Sequence, residues 1–92
     1  MPLNFEWDKT KAQNNLEKHE IRFEEAATVF ADADSITIDD PAHSQQERRL
    51  ITIGRSHESK ILVVVHTERG DNIRIISARR ANKKERQAYE KT

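Results

Sequence analysis

Near the end of this 92-residue chain, Arg69, Arg74, Arg79, Arg80, Lys83 and Arg86 stand close together, with Tyr89 just beyond them. Arginine presents a planar fork of donors that matches a phosphate, and lysine adds a compact point charge. His66 and Glu68 lie just before this group and are side chains able to carry protons. Together they are enough to cleave RNA without a metal. In that reaction the ribose 2′-hydroxyl attacks the adjacent phosphate. One proton must be accepted, one given to the leaving oxygen, and the extra charge on the phosphate stabilised. His or Glu can do the first two, and Arg and Lys the third. The plain alternatives are a solvated basic surface and, for His66, a strand-end histidine bonded to its neighbours.

What the chain lacks narrows the chemistry further. Without Cys it has no disulfide, no thiolate catalysis and no Cys-based metal site. His19, His43, His57 and His66 form no i, i+4 pair and no HExxH spacing, so no metal site is expected. His19 reads as the end of a helix, His57 as exposed in a hairpin loop, and His43 as part of a polar loop. No serine sits in a GxSxG elbow, and two glycines cannot build a P-loop or a dinucleotide fingerprint, so no cofactor is expected. No apolar run approaches a membrane span and no secretory signal opens the chain, which makes the cytoplasm the expected compartment.

Charge is distributed unevenly. Residues 1–47 hold 4 Lys/Arg and 11 Asp/Glu (4 − 11 = −7), and residues 48–92 hold 12 and 5 (12 − 5 = +7). Either the halves neutralise each other inside one fold, or the basic half displays a positive patch for an anionic partner. Residues 1–92 make one small domain. Apolar and charged residues each make up 35%, a thin core that implies marginal stability or support from a partner.

The elements that must position these residues read as follows. Leu3 to Trp7 is a short strand, and Asp8 a helix N-cap. A first helix covers Lys9 to Lys18. A second covers Phe23 to Ala31, where Phe23, Ala26, Ala27 and Phe30 make one stripe. Strands follow at Ser35–Asp39 and Arg48–Gly54, with a polar loop at Ala42–Glu47 between them. Ile61 to Val65 is the most apolar run, as for a central strand buried on both faces. With Ile73 to Ala78 it flanks a Gly70-Asp71 turn. That turn pairs Arg69 with Asn72, Thr67 with Arg74, Val65 with Ile76 and Val63 with Ala78. On the other face it sets Glu68 against Ile73, His66 against Ile75 and Leu62 against Arg79. Asn82 and Glu85 fit a capping box for a last helix whose apolar face, Ala88 and Tyr89, is poor enough to dock weakly or need a partner. The expected class is α+β: an N-terminal strand and two helices packed on a mainly antiparallel four-stranded meander, with a short C-terminal helix.

Phe5-Glu6-Trp7-Asp8, Lys18-His19 before Phe23-Glu24-Glu25-Ala26, and Ile73-Arg74-Ile75-Ile76-Ser77-Ala78-Arg79 followed by Glu85 and Tyr89 resemble the BrnT toxins of bacterial type II toxin–antitoxin systems. The likeness runs from Phe5 to Glu90. Glu20 departs from it, because the family usually has Gly after Lys-His. The resemblance implies a RelE-like fold and a ribonuclease that halts translation. It also implies a BrnA-type antitoxin with a ribbon-helix-helix part, through which the complex reaches operator DNA. By the same analogy Arg79, Arg80 and Tyr89 are the first candidates for the active site, with His66 or Glu68 the proton carriers, while Arg69, Arg74, Lys83 and Arg86 are read from their charge as RNA contacts. The hairpin register sets His66 and Glu68 near the turn and Arg79 at the other end, so one site cannot readily hold both groups. A non-catalytic nucleic-acid-binding or co-repressor subunit is the rival reading, and a docking surface for an acidic partner is a third.

Overall fold

The computed structural model describes residues 3–40, 42 and 48–91. His43 and most of the polar loop before Arg48 therefore lie outside the described residues. In chain order the elements are β1 (Asn4–Glu6), α1 (Lys9–His19), α2 (Phe23–Ala27) with a 3-10 turn at Thr28–Ala31, β2 (Ile36–Asp39), β3 (Arg49–Arg55), β4 (Ile61–Arg69), β5 (Asn72–Arg80) and α3 (Lys83–Glu90). The class is α+β, with β2 to β5 running as an antiparallel meander. β1 extends the sheet to five strands, parallel to β5 and ordered β1-β5-β4-β3-β2. Among the described residues no helix is long and apolar enough to cross a membrane.

Local chemistry sets the helix limits. The Asp8 carboxylate accepts from Lys11 N at 2.9 Å and starts α1. Glu20 ends it in the left-handed region, at φ 59° and ψ 29°. The Thr28 hydroxyl donates to Glu25 O at 2.6 Å, bonding back into the helix. There the expected second helix tightens into the 3-10 turn.

Each sheet face carries its own core. Under α1 and α2 lie Ile21, Phe23, Ala26, Val29, Leu62, Val64, Ile75 and Ala78, all essentially inaccessible. Trp7 meets Phe23 edge-on at 5.9 Å and closes this core near β1. On the opposite face Ile53, Val63, Ala81 and Tyr89 form a smaller cluster beneath α3. The last helix docks through a single buried side chain, Tyr89, in keeping with the poor apolar face its sequence shows.

The β4–β5 register follows the expected one from Arg69↔Asn72 to His66↔Ile75, then shifts at a bulge. Beyond it Val65 faces Ser77, Val64 faces Ala78, Val63 faces Arg79 and Leu62 faces Arg80. The pairs Val65–Ile76, Val63–Ala78 and Leu62–Arg79 expected from uninterrupted alternation do not form. The physical reason lies in what alternation would bury. Counting from Ile75, it would send Arg79 under the helices and Ala78 to the other face. One extra residue in β5 reverses both, keeping a guanidinium out of the apolar core.

Asn15, buried in α1, holds this segment in place. Its amide Nδ2 donates to Ala78 O at 2.8 Å and to Ile21 O at 3.0 Å, while Oδ1 accepts from Ala78 N at 3.0 Å. β1 covers β5 only as far as Arg74, and here the Asn15 carboxamide stands in for the next strand's peptide group.

The opposite charges of the two halves meet inside the fold. Glu6 pairs with Arg74 at 2.8 Å, Asp39 with Arg48 at 2.8 Å and Glu25 with Lys60 at 3.5 Å. Each acid comes from the first half and each base from the second.

Candidate active site

At the far end of the β4–β5 hairpin the chain passes from Arg79 and Arg80 into the capping box of α3. Asn82 Oδ1 accepts from Glu85 N at 2.8 Å, and Glu85 Oε1 accepts from Asn82 N at 2.9 Å. The Glu85 carboxylate also takes both forks of Arg79, each at 2.8 Å. These bonds raise the Arg79 pKa and lower that of Glu85. Arg79 is therefore matched by a carboxylate, and its visible work is to fasten α3 to β5.

Tyr89 fastens the other end of the helix. Its hydroxyl donates to Asp32 Oδ2 at 2.6 Å, and the ring is 7% exposed. That bond raises the Tyr89 pKa and lowers that of Asp32. The same carboxylate oxygen accepts from Arg55 N at 2.8 Å, and the Arg55 guanidinium lies 5.9 Å above the Tyr89 ring.

Arg80 behaves differently from its neighbour. It is exposed and opens onto a cleft of about 230 Å³ lined by Arg55, Ser59, Lys60, Ile61, Ala81 and Arg86. The lining holds four cations and no carboxylate. Arg86 Nη1 donates to Ala81 O at 3.0 Å, which steadies it over the helix start. Lys60 has Glu25 for a partner, but among the described residues Arg80, Lys83 and Arg86 form no ion pair. Cations gathered around a concave surface raise the local positive potential and favour a bound anion. Arg55 also lines a second cleft of about 490 Å³ with Thr28, Ala31, Asp32, Ser56 and His57.

The turn end of the hairpin is arranged otherwise. His66 is 3% exposed and lies on the face beneath the helices, its ring edge-on to Phe30 at 4.8 Å. Nε2 is 2.7 Å from Thr52 Oγ1, which is 2.8 Å from Thr37 Oγ1. Burial pushes the His66 pKa down to about 4. Arg74 faces the other side of the sheet, opposite Thr67, and its guanidinium is held by Glu6. Glu6 also accepts from Asn72 Nδ2 at 3.0 Å, and these bonds lower its pKa. Glu68 and Arg69 are exposed beside the turn.

The structure therefore brings Arg80 and Arg86 together, places Lys83 on the exposed start of α3, and gives Arg79 and Tyr89 to the frame behind them. It separates His66 from Arg74 by the thickness of the sheet. The expected turn-end cluster of His66, Glu68, Arg69 and Arg74 is not one site. Arg55 and Lys60 escaped the sequence reading. Their signal was their position, one at each end of the Ser56–Ser59 loop, where a hairpin turn aims side chains toward whatever packs beside it.

A family profile described as the ribonuclease toxin BrnT of type II toxin–antitoxin systems matches residues 7–85. The crystal structure of the Brucella abortus ribonuclease toxin BrnT superposes with a TM-score of 0.65 at 24% identity, covering 89% of this chain and 100% of that one. At that identity the likeness is one of fold. The search of curated proteins gave no match.

Proposed function

The chain belongs to the BrnT family of ribonuclease toxins of type II toxin–antitoxin systems, and from that premise we propose that it cuts RNA internally, without a metal, at the basic cleft beside Arg80. The observation that carries this reading is the lining of the cleft: Arg55, Lys60, Arg80 and Arg86 with no carboxylate among them. Arg80 and Arg86 hold the phosphate and offset the charge that builds on it as the 2′-oxygen attacks. Lys83 contacts the RNA backbone alongside. Arg79 and Tyr89 act through the frame, by holding α3 where the cleft needs it. Arg69 and Arg74 are more distant contacts along the strand, while the buried His66 and the exposed Glu68 lie toward the turn end of the hairpin, away from the cleft.

RNA cutting by this chain halts translation in the cytoplasm, and a type II antitoxin restrains it. That partner is of the BrnA type, with a ribbon-helix-helix part that carries the pair to operator DNA. Purified chain should cut single-stranded RNA in the presence of EDTA. Its RNA affinity should fall with salt, by about 0.7 in the log–log slope for each phosphate contact. Arg80→Ala should lower the cutting rate about 100-fold with the melting temperature unchanged. Binding without cutting would favour a co-repressor subunit instead, and binding of the antitoxin alone would mark the cleft as a docking surface. Induced expression should arrest growth, and the neighbouring gene should relieve it.

A further inference from the structure

His57 is held against the 3-10 turn through both its backbone and its ring. The loop between β3 and β4 turns at Ser56–Ser59, and Thr28 of the 3-10 turn packs against it. Thr28 Oγ1 has one proton, and that proton is donated to Glu25 O at 2.6 Å. The same oxygen accepts from His57 N at 2.9 Å and lies 3.3 Å from His57 Nδ1. With its proton donated to Glu25, Thr28 meets the ring best as an acceptor, which favours a hydrogen on Nδ1. In the neutral imidazole the lone pair is then on Nε2. The ring is half-exposed, and its Nε2 lies 3.5 Å from Glu58 Oε2, a carboxylate that would stabilise the imidazolium once a proton arrives.

His57 lines the cleft of about 490 Å³ that shares Arg55 with the basic cleft. The shared guanidinium joins the cleft that holds His57 to the proposed phosphate site. The other charged groups around the ring are Glu58 on its own loop, Asp32 beyond the 3-10 turn, and Lys60 with its partner Glu25. We propose that His57 is a catalytic residue of this chain, the general base that takes the proton from the ribose 2′-hydroxyl, with Thr28 as its positioning residue. This rests on the reading of the Arg80 cleft as the RNA site.

The step balances as follows. The 2′-O–H bond breaks and its proton goes to His57 Nε2. The 2′-oxygen forms a bond to phosphorus, and the bond to the 5′-oxygen breaks. The 5′-oxygen leaves with a proton from water, giving a 2′,3′-cyclic phosphate and a 5′-hydroxyl. Glu58 then faces an imidazolium, and loss of that proton to solvent resets the base. General-base catalysis of this kind contributes roughly 10²–10⁴-fold in rate.

The test uses the purified chain and a random-sequence single-stranded RNA pool, with binding and single-turnover cutting measured over pH. His57→Asn keeps a donor toward Thr28 but has no basic nitrogen. It should cut at least about 100-fold more slowly with unchanged RNA affinity and melting temperature, and lose the acidic limb of the pH profile. His57→Ala should regain rate on addition of imidazole. Thr28→Val should weaken cutting and Thr28→Ser restore it. Wild-type cutting and an unchanged pH profile in His57→Asn, while Arg80→Ala is impaired, overturns the role of His57 and leaves the cleft standing. Wild-type cutting in both variants removes the cleft as well.

Discussion

The two ends of the β4–β5 hairpin are built from similar residues and come out chemically opposite. At the turn end Arg74 is met by Glu6, and His66 is buried neutral among Thr52, Phe30 and the helices. At the far end Arg80 and Arg86 face a cleft that no carboxylate lines. A count of basic residues does not separate the two ends, because what differs is the supply of acids from the first half of the chain. Glu6, Glu25, Asp32 and Asp39 are spent on Arg74, Lys60, Arg55 with Tyr89, and Arg48. Two of these acids reach Lys60 and Arg55 at the edge of the cleft, but among the described residues none pairs with Arg80 or Arg86, and there positive potential remains for a ligand. Neutralisation inside the fold and a patch for an anionic partner are thus both present, in different places.

The largest expected effect breaks the comparison at the far end. Arg80→Glu places a carboxylate in the cleft and should lower RNA cutting about 1,000-fold, since loss of one charge-stabilising donor already costs roughly 10²–10³ and repulsion adds to it. The side chain is exposed, so the melting temperature should stay within the scatter of surface substitutions. Arg79→Ala, one residue away, should instead loosen α3 at a cost of about 1 kcal/mol, as for other partly exposed ion pairs. A single-turnover assay beside a thermal melt separates the two arginines.

The turn end offers a comparably large effect of another kind. The pKa of His66 falls from an ordinary 6.5 to about 4 on folding, because burial disfavours the charged ring. Below pH 6.5 the unfolded chain binds a proton that the folded chain refuses. Stability is therefore full above pH 6.5 and declines as pH drops toward 4, by about 3 kcal/mol across that window. Urea melts at pH 7 and pH 4.5 should show the loss, and His66→Phe should remove this part of the slope. A slope unchanged in that variant would assign the acid sensitivity to other groups.

Much of this contrast was not legible in the sequence, for a physical reason. The strands were legible, since Ile61–Val65 is apolar throughout and Gly70 marks the turn with a φ of +60°. The capping box was legible because Asn82 and Glu85 are three residues apart. The bulge was not. Ile75, Ile76 and Ala78 are apolar whichever way they point, so alternation alone could not reveal the extra residue in β5. The ion-pair partners were equally hidden, because Glu6 meets Arg74 and Asp32 meets Tyr89 only through the fold. Asn15 reads as an ordinary polar residue of a surface helix until the missing stretch of β1 shows what its amide replaces. Arg55 and Lys60 reach the cleft from a different hairpin, which no local pattern predicts.

A smaller effect sharpens the turn end. Arg74→Ala removes the partner of Glu6 and should lower the melting temperature only slightly, as for surface ion pairs. RNA affinity should fall far less than in Arg80→Ala, because Arg74 is a distant contact already held by Glu6. Filter binding at two salt concentrations checks this, and a loss of salt slope matching that of Arg80→Ala would show that RNA spans both ends of the strand.

The smallest effect lies away from both ends, at the departure from the family pattern. Glu20 closes α1 with φ 59°, a conformation in which a side chain costs roughly 1–2 kcal/mol and glycine almost nothing. Its backbone N–H donates to Leu16 O at 2.9 Å, so the cap itself is intact and only the Cβ is out of place. Glu20→Gly relieves that strain but also loosens the unfolded chain, which takes back about 0.5–1 kcal/mol. The net gain should be about 0.5 kcal/mol, with RNA cutting unchanged. Glu20→Ala retains the strained Cβ and should gain nothing, so a glycine variant no more stable than the alanine one would show that the backbone bears no strain at this cap.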